Sequence, residues 1–359
     1  MRNLACLALV VTAACALGGG GGGDDILSAD ARTDAARPID APGGGGDGGG
    51  SIDAPAGLPQ LKHCTGRAFT PQPVAGFATV GGTLVALGGS PNHGGEDIIT
   101  PPGSPMSARA RFTYGTTATA LDAEPVAVWI DDCTGWHSLG THDTAAGNLD
   151  VPLDVTLAPG IYEARFEVRG DASTTVAYLY VLPTGSHLAV TDIDGTLTTS
   201  DTELFVQILL NSYVPAKYPS APELTQTHAA KHHVMVYITG RPTWTAIATR
   251  GWLADQGFAP GPLHLTTTAG ESLPSNTGVG DYKKAWLMSL TAKGYVLDLA
   301  YGNATTDIYA YEGAGIADDR QWIIGTNGGM NGTHAVADSW ATRVGEVQAM
   351  PTVTQPFQP

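Results

Sequence analysis

The chain has 359 residues, of which 43% are hydrophobic, and this is enough to supply the cores of two ordinary domains. Its formal net charge of -16 reflects a shortage of cations, because only 14% of the residues are charged. A surface of this sign repels the phosphate backbone of nucleic acids, so we exclude DNA and RNA as partners.

The first residues have the order of an export signal. Arg2 precedes an apolar run, and small residues follow up to Cys15. Residues 11–15 (VTAAC) are similar to a bacterial lipoprotein cleavage box, which implies removal of a signal peptide at 1–15 and acylation of Cys15. We therefore expect an exported protein of the bacterial cell envelope, held at a membrane by a lipid anchor. The alternative is a cleaved signal that releases a secreted soluble protein.

Residues 16–60 consist mainly of Gly, Asp, Ala and Pro. This composition buries too little apolar surface to offset the entropy lost on ordering. We predict a disordered tether between the anchor and the folded part of the chain.

Residues 61–185 have the pattern of an all-β, immunoglobulin-like sandwich, since short apolar segments alternate with Gly, Pro and Asp clusters. The stretch Ile161–Leu182 predicts two alternating strands joined by a Gly-Asp turn. No catalytic constellation is found in this half. Other short strands are predicted at Thr83–Leu87, Arg109–Tyr114, Val126–Ile130 and Glu163–Val168.

Two cysteines remain for this domain once the signal is removed and Cys15 is acylated. They are Cys64 and Cys133, and in an oxidising compartment we predict a disulfide between them. The alternative is a pair of buried free thiols, because sequence alone does not measure the distance between the two residues.

From residue 186 the pattern changes to apolar strands that alternate with helices, which predicts a parallel sheet covered on both faces. We expect a Rossmann-like α/β domain over 186–350 and a C-terminal tail over 351–359. Helices are predicted at Thr245–Gln256 and Tyr282–Lys293, each followed by a Gly suited to a left-handed cap. Ligands of such sheets bind at the carboxyl ends of the strands. Strands are predicted at His233–Thr239, Leu263–Leu265, Leu297–Tyr301 and Trp322–Ile324, besides the one that begins at Leu188.

Four motifs follow these elements in order: DIDGT at Asp192–Thr196, YITGR ending at Arg241, DYKKAW at 281–286, and YGNATTD ending at Asp307. In this order they resemble the haloacid dehalogenase (HAD) superfamily. The closest likeness is to the lipin family of phosphatidate phosphatases and the related LNS2 domain of phosphatidylinositol transfer proteins. It is carried by DIDGTLTTSD, TRGWLADQGFAPGPLHL and YGNATTDIYAYEGAGI. The TGR of the second motif departs from the Ser-Ala-Arg common in eukaryotic lipins.

The resemblance implies a Mg²⁺-dependent phosphatase that works through an aspartyl-phosphate. Asp192 would be the nucleophile, and Asp194 would protonate the leaving group and then activate water. Thr239 would donate a hydrogen bond to the phosphate. The active-site lysine would be Lys283, with Lys284 as the alternative.

The metal and substrate sites are also implied by the resemblance. Mg²⁺ prefers hard oxygen ligands. The implied metal ligands are Asp192, Asp194 through its carbonyl, Asn303 and Asp307. The implied substrate-binding residues are Gly195, Thr196, Gly240 and Arg241, and for Arg241 a structural ion pair is equally compatible with the sequence.

The segment between the first two motifs is short and includes a predicted helix at Glu203–Asn211, so little room remains for a cap domain. An open site suits a headgroup presented on a membrane, and we therefore expect phosphatidic acid or a related phospholipid as the substrate. The alternatives are a broad phosphatase for exported soluble phosphomonoesters and a phosphatidate-binding module without turnover.

Overall fold

The structure is a computed structural model that describes residues 57–200, 214–268 and 270–358. The predicted signal peptide, the lipidation site Cys15, nearly all of the predicted tether and the predicted helix at Glu203–Asn211 lie outside these residues. In the described part of the chain, no helix combines the length and apolar character needed to cross a bilayer.

A β-sandwich forms the first half of the described chain. Its strands are β1 (Lys62–Cys64), β2 (Gly94–Glu96), β3 (Ile98–Thr100), β4 (Met106–Arg111), β5 (Thr113–Tyr114), β6 (Thr119–Ala120), β7 (Pro125–Asp131), β8 (Trp136–Asp143), β9 (Asn148–Leu153), β10 (Gly160–Val168) and β11 (Thr174–Val181). The larger sheet has the order β3-β11-β10-β7-β8, with β1 added beside β10, and the smaller sheet has the order β2-β4-β9. Cys64 and Cys133 form a disulfide with their Cα atoms 4.6 Å apart, which ties β1 to the turn after β7.

Strand β11 is buried on both of its faces. Ala177, Leu179 and Val181 point into the core between the two sheets of the sandwich. The alternate residues, which include Tyr178 and Tyr180, belong to a second core that the sandwich shares with the following domain. Because successive side chains of a strand point to opposite faces, this one strand joins two cores. The predicted hairpin of Ile161–Leu182 is confirmed by the antiparallel pairing of β10 with β11.

The predicted strand at Thr83–Leu87 is wrong, because this segment belongs to a helix, α1 (Val80–Ala86). The hydroxyl of Thr79 accepts a hydrogen bond from the amide of Gly82 at 2.8 Å, which is a helix N-cap. A Cβ on Gly82 would lie 2.1 Å from a carboxylate oxygen of Glu124. Gly82 therefore marks close packing of the helix against Glu124 and not the end of an element.

The second half is an α/β domain built on one six-stranded parallel sheet of order β14-β13-β12-β15-β16-β17. Its strands are β12 (His187–Thr191), β13 (Val234–Pro242), β14 (Leu263–Thr266), β15 (Val296–Gly302), β16 (Gln321–Ile324) and β17 (His334–Val336). Its α-helices are α2 (Ala221–Ala230), α3 (Ala246–Asp255), α4 (Asp281–Ala292), α5 (Thr305–Gly313) and α6 (Ala341–Ala349). The glycines after α3 and α4, Gly257 and Gly294, have φ of 78° and 86°, which confirms the predicted left-handed caps.

The C-terminal residues pack against the amino ends of the parallel strands. The side-chain oxygen of Gln355 accepts from the amide of His187 at 3.0 Å, and its nitrogen donates to the carbonyls of His187 and His232. Phe357 is buried in the core shared by the two domains. The segment that was predicted only as a C-terminal tail therefore forms part of the interface between the β-sandwich and the parallel sheet.

His93 is a buried group whose protonation opposes folding. Its Nδ1 accepts from the amide of Thr113 at 3.3 Å, and its Nε2 lies 2.9 Å from the hydroxyl of Ser173. Burial lowers the pKa of His93 to about 4. Between this pKa and the unfolded value of about 6.5, the unfolded chain binds the proton and the folded chain does not, so stability falls as pH falls.

Because the unfolded chain protonates His93 and the folded chain does not, we expect the unfolding free energy to fall by about 2 kcal/mol as the pH is lowered from about 7 to about 5. His93→Gln should therefore show a smaller acid-induced loss than the parent in urea titrations at the two pH values. The control is His137→Gln, which changes a half-exposed histidine. Equal acid losses in His93→Gln and the parent would contradict this assignment.

Candidate active site

Three neighbouring strands of the parallel sheet end beside one another at the proposed site. The last residue of β12, Thr191, pairs with Tyr237 of β13 and Tyr301 of β15. The amide of Asp192 then donates to the carbonyl of Tyr301 at 3.0 Å, which fixes the start of the first motif. Gly195 has a φ of 74°, so the turn after the paired aspartates uses a backbone conformation that favours glycine.

Lys283 lies between two buried carboxylates. It projects from the first turn of α4, and its ammonium is 2.6 Å from Oδ1 of Asp192 and 2.7 Å from Oδ1 of Asp307. Only 4% of the lysine side chain, 5% of that of Asp192 and 1% of that of Asp307 is exposed. The neighbouring Lys284 instead donates to the hydroxyl of Tyr309 at 2.8 Å. The structure therefore places Lys283, and not Lys284, against the predicted nucleophile.

The charges of this group depend on one another. The pKa of Asp192 is raised to about 7, mainly by burial; the ammonium of Lys283 opposes the rise, and the carboxylates of Asp307 and Asp194 add to it. Burial by itself would lower the pKa of Lys283, but the two carboxylates outweigh burial and hold that pKa above its ordinary value. Lys283 thus stays charged and is the group that favours the ionised form of Asp192, the predicted nucleophile.

Thr196 links the first motif to the fourth. Its hydroxyl lies 2.9 Å from Oδ2 of Asp192 and 3.2 Å from the amide oxygen of Asn303. Its amide donates to the carbonyl of Ile193 at 3.2 Å, so the hydroxyl and the amide of Thr196 both contact the protein. Thr196 was implied as a substrate-binding residue, and in the structure its hydroxyl contacts Asp192 and brings the carboxylate of Asp192 close to the amide oxygen of Asn303.

These donors fit a divalent cation that prefers oxygen. Within the three described ranges, no three His, Cys, Asp or Glu side chains cluster so as to hold a metal ion. A cation at this edge would therefore need other oxygens beside the carboxylate of Asp192. The amide oxygen of Asn303 and the backbone carbonyl of Asp194 are of the type that Mg²⁺ accepts.

Asp307 has an arrangement different from that of the implied metal ligand. Its Oδ1 accepts from Lys283, and its Oδ2 accepts from the amides of Asn303 and Ala304, each at 3.0 Å. Both oxygens are engaged at the first turn of α5, where a carboxylate is favoured by the helix dipole. Coordination of a metal would displace these donors. These contacts lead us to expect that Asp307 positions Lys283 and the backbone of Asn303, while its implied role as a metal ligand stays a prediction.

Asp194 is held by the second motif. Arg241 donates through Nη2 to Oδ1 at 2.7 Å and through Nε to Oδ2 at 2.8 Å. The hydroxyl of Thr239 lies 3.2 Å from Oδ2 of the same carboxylate and accepts from the amide of Arg241. Arg241 is only 1% exposed, and the structure thus shows the ion-pair alternative for this arginine, as a buried bidentate pair.

The two glycines of the implied substrate-binding set lie at the same edge. The amide of Gly195 donates to the hydroxyl of Thr198 at 3.1 Å. Gly240 lies between Thr239 and Arg241, where an added Cβ would be 3.2 Å from a methyl carbon of Val279. The positive φ of Gly195 favours glycine there, and the approach of Val279 leaves little room for a side chain at position 240. No spacing rule indicated the Arg241–Asp194 pair, because it depends on the register of β12 against β13.

Removing the charge of Lys283 would leave two buried carboxylates without a cation. We expect Lys283→Met to cost about 3–5 kcal/mol of unfolding free energy near neutral pH, since loss of one partner strands the other charges. Lys284→Met removes a partly exposed lysine and is expected to leave the unfolding free energy nearly unchanged. Denaturant titrations of both variants test this, and similar losses would show that Lys283 does not neutralise the site.

The comparisons with known proteins agree with this arrangement of domains. The family model for the LNS2 domain of PITM 1-3 matches residues 189–325, and the model for the beta-sandwich domain of PITM 1-3 matches residues 91–181. The chain is 28% identical to protein retinal degeneration B of Drosophila melanogaster over 269 residues, which are 72% of this chain and 20% of that protein. It is 29% identical to membrane-associated phosphatidylinositol transfer protein 3 of Homo sapiens over 245 residues, 65% of this chain and 23% of that protein.

Membrane-associated phosphatidylinositol transfer protein 1 of Rattus norvegicus is 27% identical over 241 residues, 65% of this chain and 18% of that protein. The chain therefore spans about a fifth of the length of these relatives.

The relatives overturn the predicted location. An exported bacterial lipoprotein was expected from the short apolar run before Cys15, but the matched proteins are protein retinal degeneration B of Drosophila melanogaster and membrane-associated phosphatidylinositol transfer proteins of mammals. A run of small and apolar residues before a cysteine is a weak signal compared with matches over both folded domains. This chain contains a β-sandwich domain followed by an LNS2 domain, both of the kind described for PITM 1-3.

Proposed function

We propose that the chain is a Mg²⁺-dependent phosphomonoester hydrolase with a Rossmann-like HAD domain, and that its substrate is phosphatidic acid or a related phospholipid. The observation that carries this proposal is the buried Lys283, which bridges Asp192 and Asp307 at the edge where Asp194 and Asn303 also lie. A purely structural ion pair would not need a second acid two residues after the first.

The charge arrangement suits attack on a phosphate ester. Such an ester repels anionic nucleophiles, so cationic groups must offset its charge before a carboxylate can approach. Lys283 supplies one positive charge beside Asp192. Asp192, the carbonyl of Asp194 and Asn303 would hold Mg²⁺, which supplies further neutralisation of the phosphate when bound.

The chemical steps then fall to two carboxylates. Asp192 attacks phosphorus, the ester P–O bond breaks, and the carboxyl group of Asp194 gives a proton to the leaving alkoxide. Asp194, now ionised, takes a proton from a water that attacks the aspartyl-phosphate and releases inorganic phosphate. Because Arg241 holds both oxygens of Asp194, the proton transfer to the alkoxide requires one of those hydrogen bonds to be released.

The lipid substrate is supported by the relatives, whose names describe membrane-associated phosphatidylinositol transfer proteins. The same names favour a second candidate, a module that binds phosphatidate without hydrolysing it. Asp192 and Asp194 argue for turnover, because binding of an anion gains nothing from two carboxylates facing it.

The test is a phosphate-release assay on phosphatidic acid in mixed micelles with Mg²⁺. We expect Asp192→Asn and Asp194→Asn each to lose about a hundredfold or more in kcat while vesicle binding is retained. The control is Asp298→Asn, which removes a carboxylate paired with His187 at the opposite end of the sheet. A parent that binds phosphatidate vesicles but releases no phosphate would favour the binding module, and equal rates on nucleotides would favour a broad phosphatase.

A further inference from the structure

A carboxylate of the β-sandwich makes four hydrogen bonds at the boundary with the α/β domain. Asp97 lies between β2 and β3, and 1% of its side chain is exposed. Its oxygens accept from both terminal nitrogens of Arg250, at 2.6 and 2.8 Å. They also accept from the amide of Tyr178 at 2.7 Å and from the amide of Leu263 at 2.8 Å. One side chain thus joins sandwich strand β11 to helix α3 and to the first residue of β14.

Helix α3 carries this connection to the general acid. Thr249 directly precedes Arg250 in the helix, and its hydroxyl accepts from Nη1 of Arg241 at 3.1 Å. Arg241 uses its other two nitrogens on Asp194. A continuous set of contacts therefore runs from Asp97 through Arg250 and Thr249 to the arginine that orients Asp194.

The sandwich also touches the segment that follows Arg241. A Cβ on Gly94 of β2 would lie 1.9 Å from the carbonyl oxygen of Thr243, so the two backbones are in direct contact. The hydroxyl of Thr243 in turn donates to the carbonyl of Thr266 at the end of β14. The loop between β13 and α3 thus contacts the sandwich at Thr243, and the same residue ties it to the end of β14.

We propose that the β-sandwich is a working part of the catalytic site and that Asp97 is a positioning residue for Asp194. This inference rests on the proposed phosphatase function. Asp97 holds α3 and β14 in the arrangement that lets Arg241 grip the carboxylate of Asp194. Its loss misplaces the general acid and leaves the nucleophile, Asp192, in place, because Asp192 is held by Lys283 and Thr196.

The test compares two leaving groups through kcat/KM, which reports the steps up to formation of the aspartyl-phosphate. An alkyl phosphate such as phosphatidic acid needs a proton on its leaving oxygen, and p-nitrophenyl phosphate needs it far less. Asp97→Asn is expected to lower kcat/KM for phosphatidic acid about tenfold or more while that for p-nitrophenyl phosphate changes by about twofold or less. Arg250→Lys keeps the charge but loses the two-pronged contact, and it is expected to show the same selective loss should Asp97→Asn fold poorly.

The matched control is Glu167→Gln. Glu167 is as buried as Asp97, but it pairs with Arg169 and accepts from the amide of Gln72, all within the sandwich. Its substitution is expected to change kcat/KM for both substrates by the same factor. Equal factors for Asp97→Asn as well would overturn the proposal.

A second measurement does not need activity. In metal-free protein, amide hydrogen exchange over residues 239–250 is expected to speed up in Asp97→Asn and Arg250→Lys, and to stay at the parent rate in Glu167→Gln. Unchanged exchange in the first two variants would overturn the positioning role. A parent that is inactive on both substrates would instead count against the phosphatase function, and the exchange result would still decide whether Asp97 organises this loop.

Discussion

The site depends on one buried interaction, in which the ammonium of Lys283 lies between the carboxylates of Asp192 and Asp307. Two carboxylates cannot stay ionised at this depth without a cation, and a single ammonium stays charged there only because both face it. The end of strand β12, the lysine-bearing helix α4 and the start of α5 must therefore meet at one point. The positions of Thr196 and Asn303 follow from this meeting, since Thr196 contacts Asp192 and Asp307 holds the backbone of Asn303.

Much of this arrangement could be predicted from the sequence, because it follows from periodicity and from the strand ends. Apolar runs such as those of β12, β13 and β15 are buried on both faces of a parallel sheet, and polar residues that follow them meet at one edge. The glycine caps after α3 and α4 were predictable for the same local reason, since the left-handed conformation favours glycine. The resemblance favoured Lys283 over Lys284 without deciding between them, and the structure separates them because the two face different sides of one helix turn.

The features that escaped prediction depend on contacts between distant segments. Helix α1 was predicted as a strand because it is a short apolar segment between Gly, Pro and Asp clusters, but Thr79 caps it as a helix and its Gly82 packs against Glu124. Asp307 was assigned to a metal because its motif implies one, and only the coordinates show that its two oxygens accept from Lys283 and from backbone amides. Asp97 gave no signal at all, since its partners Arg250 and Leu263 lie more than 150 positions away. Such long-range polar contacts depend on how the domains pack, and local sequence patterns do not predict them.

The account requires that the first and fourth motifs share one divalent ion, and the most direct test is crystallographic. Anomalous scattering from crystals soaked in Mn²⁺, a stand-in for Mg²⁺ with oxygen ligands, would locate the ion. We expect one peak at about 2.2 Å from a carboxylate oxygen of Asp192, the carbonyl of Asp194 and the amide oxygen of Asn303, with Asp307 still bonded to Lys283. A peak elsewhere with none at these three oxygens, or one that draws Asp307 away from Lys283 to bind the ion, would contradict the account.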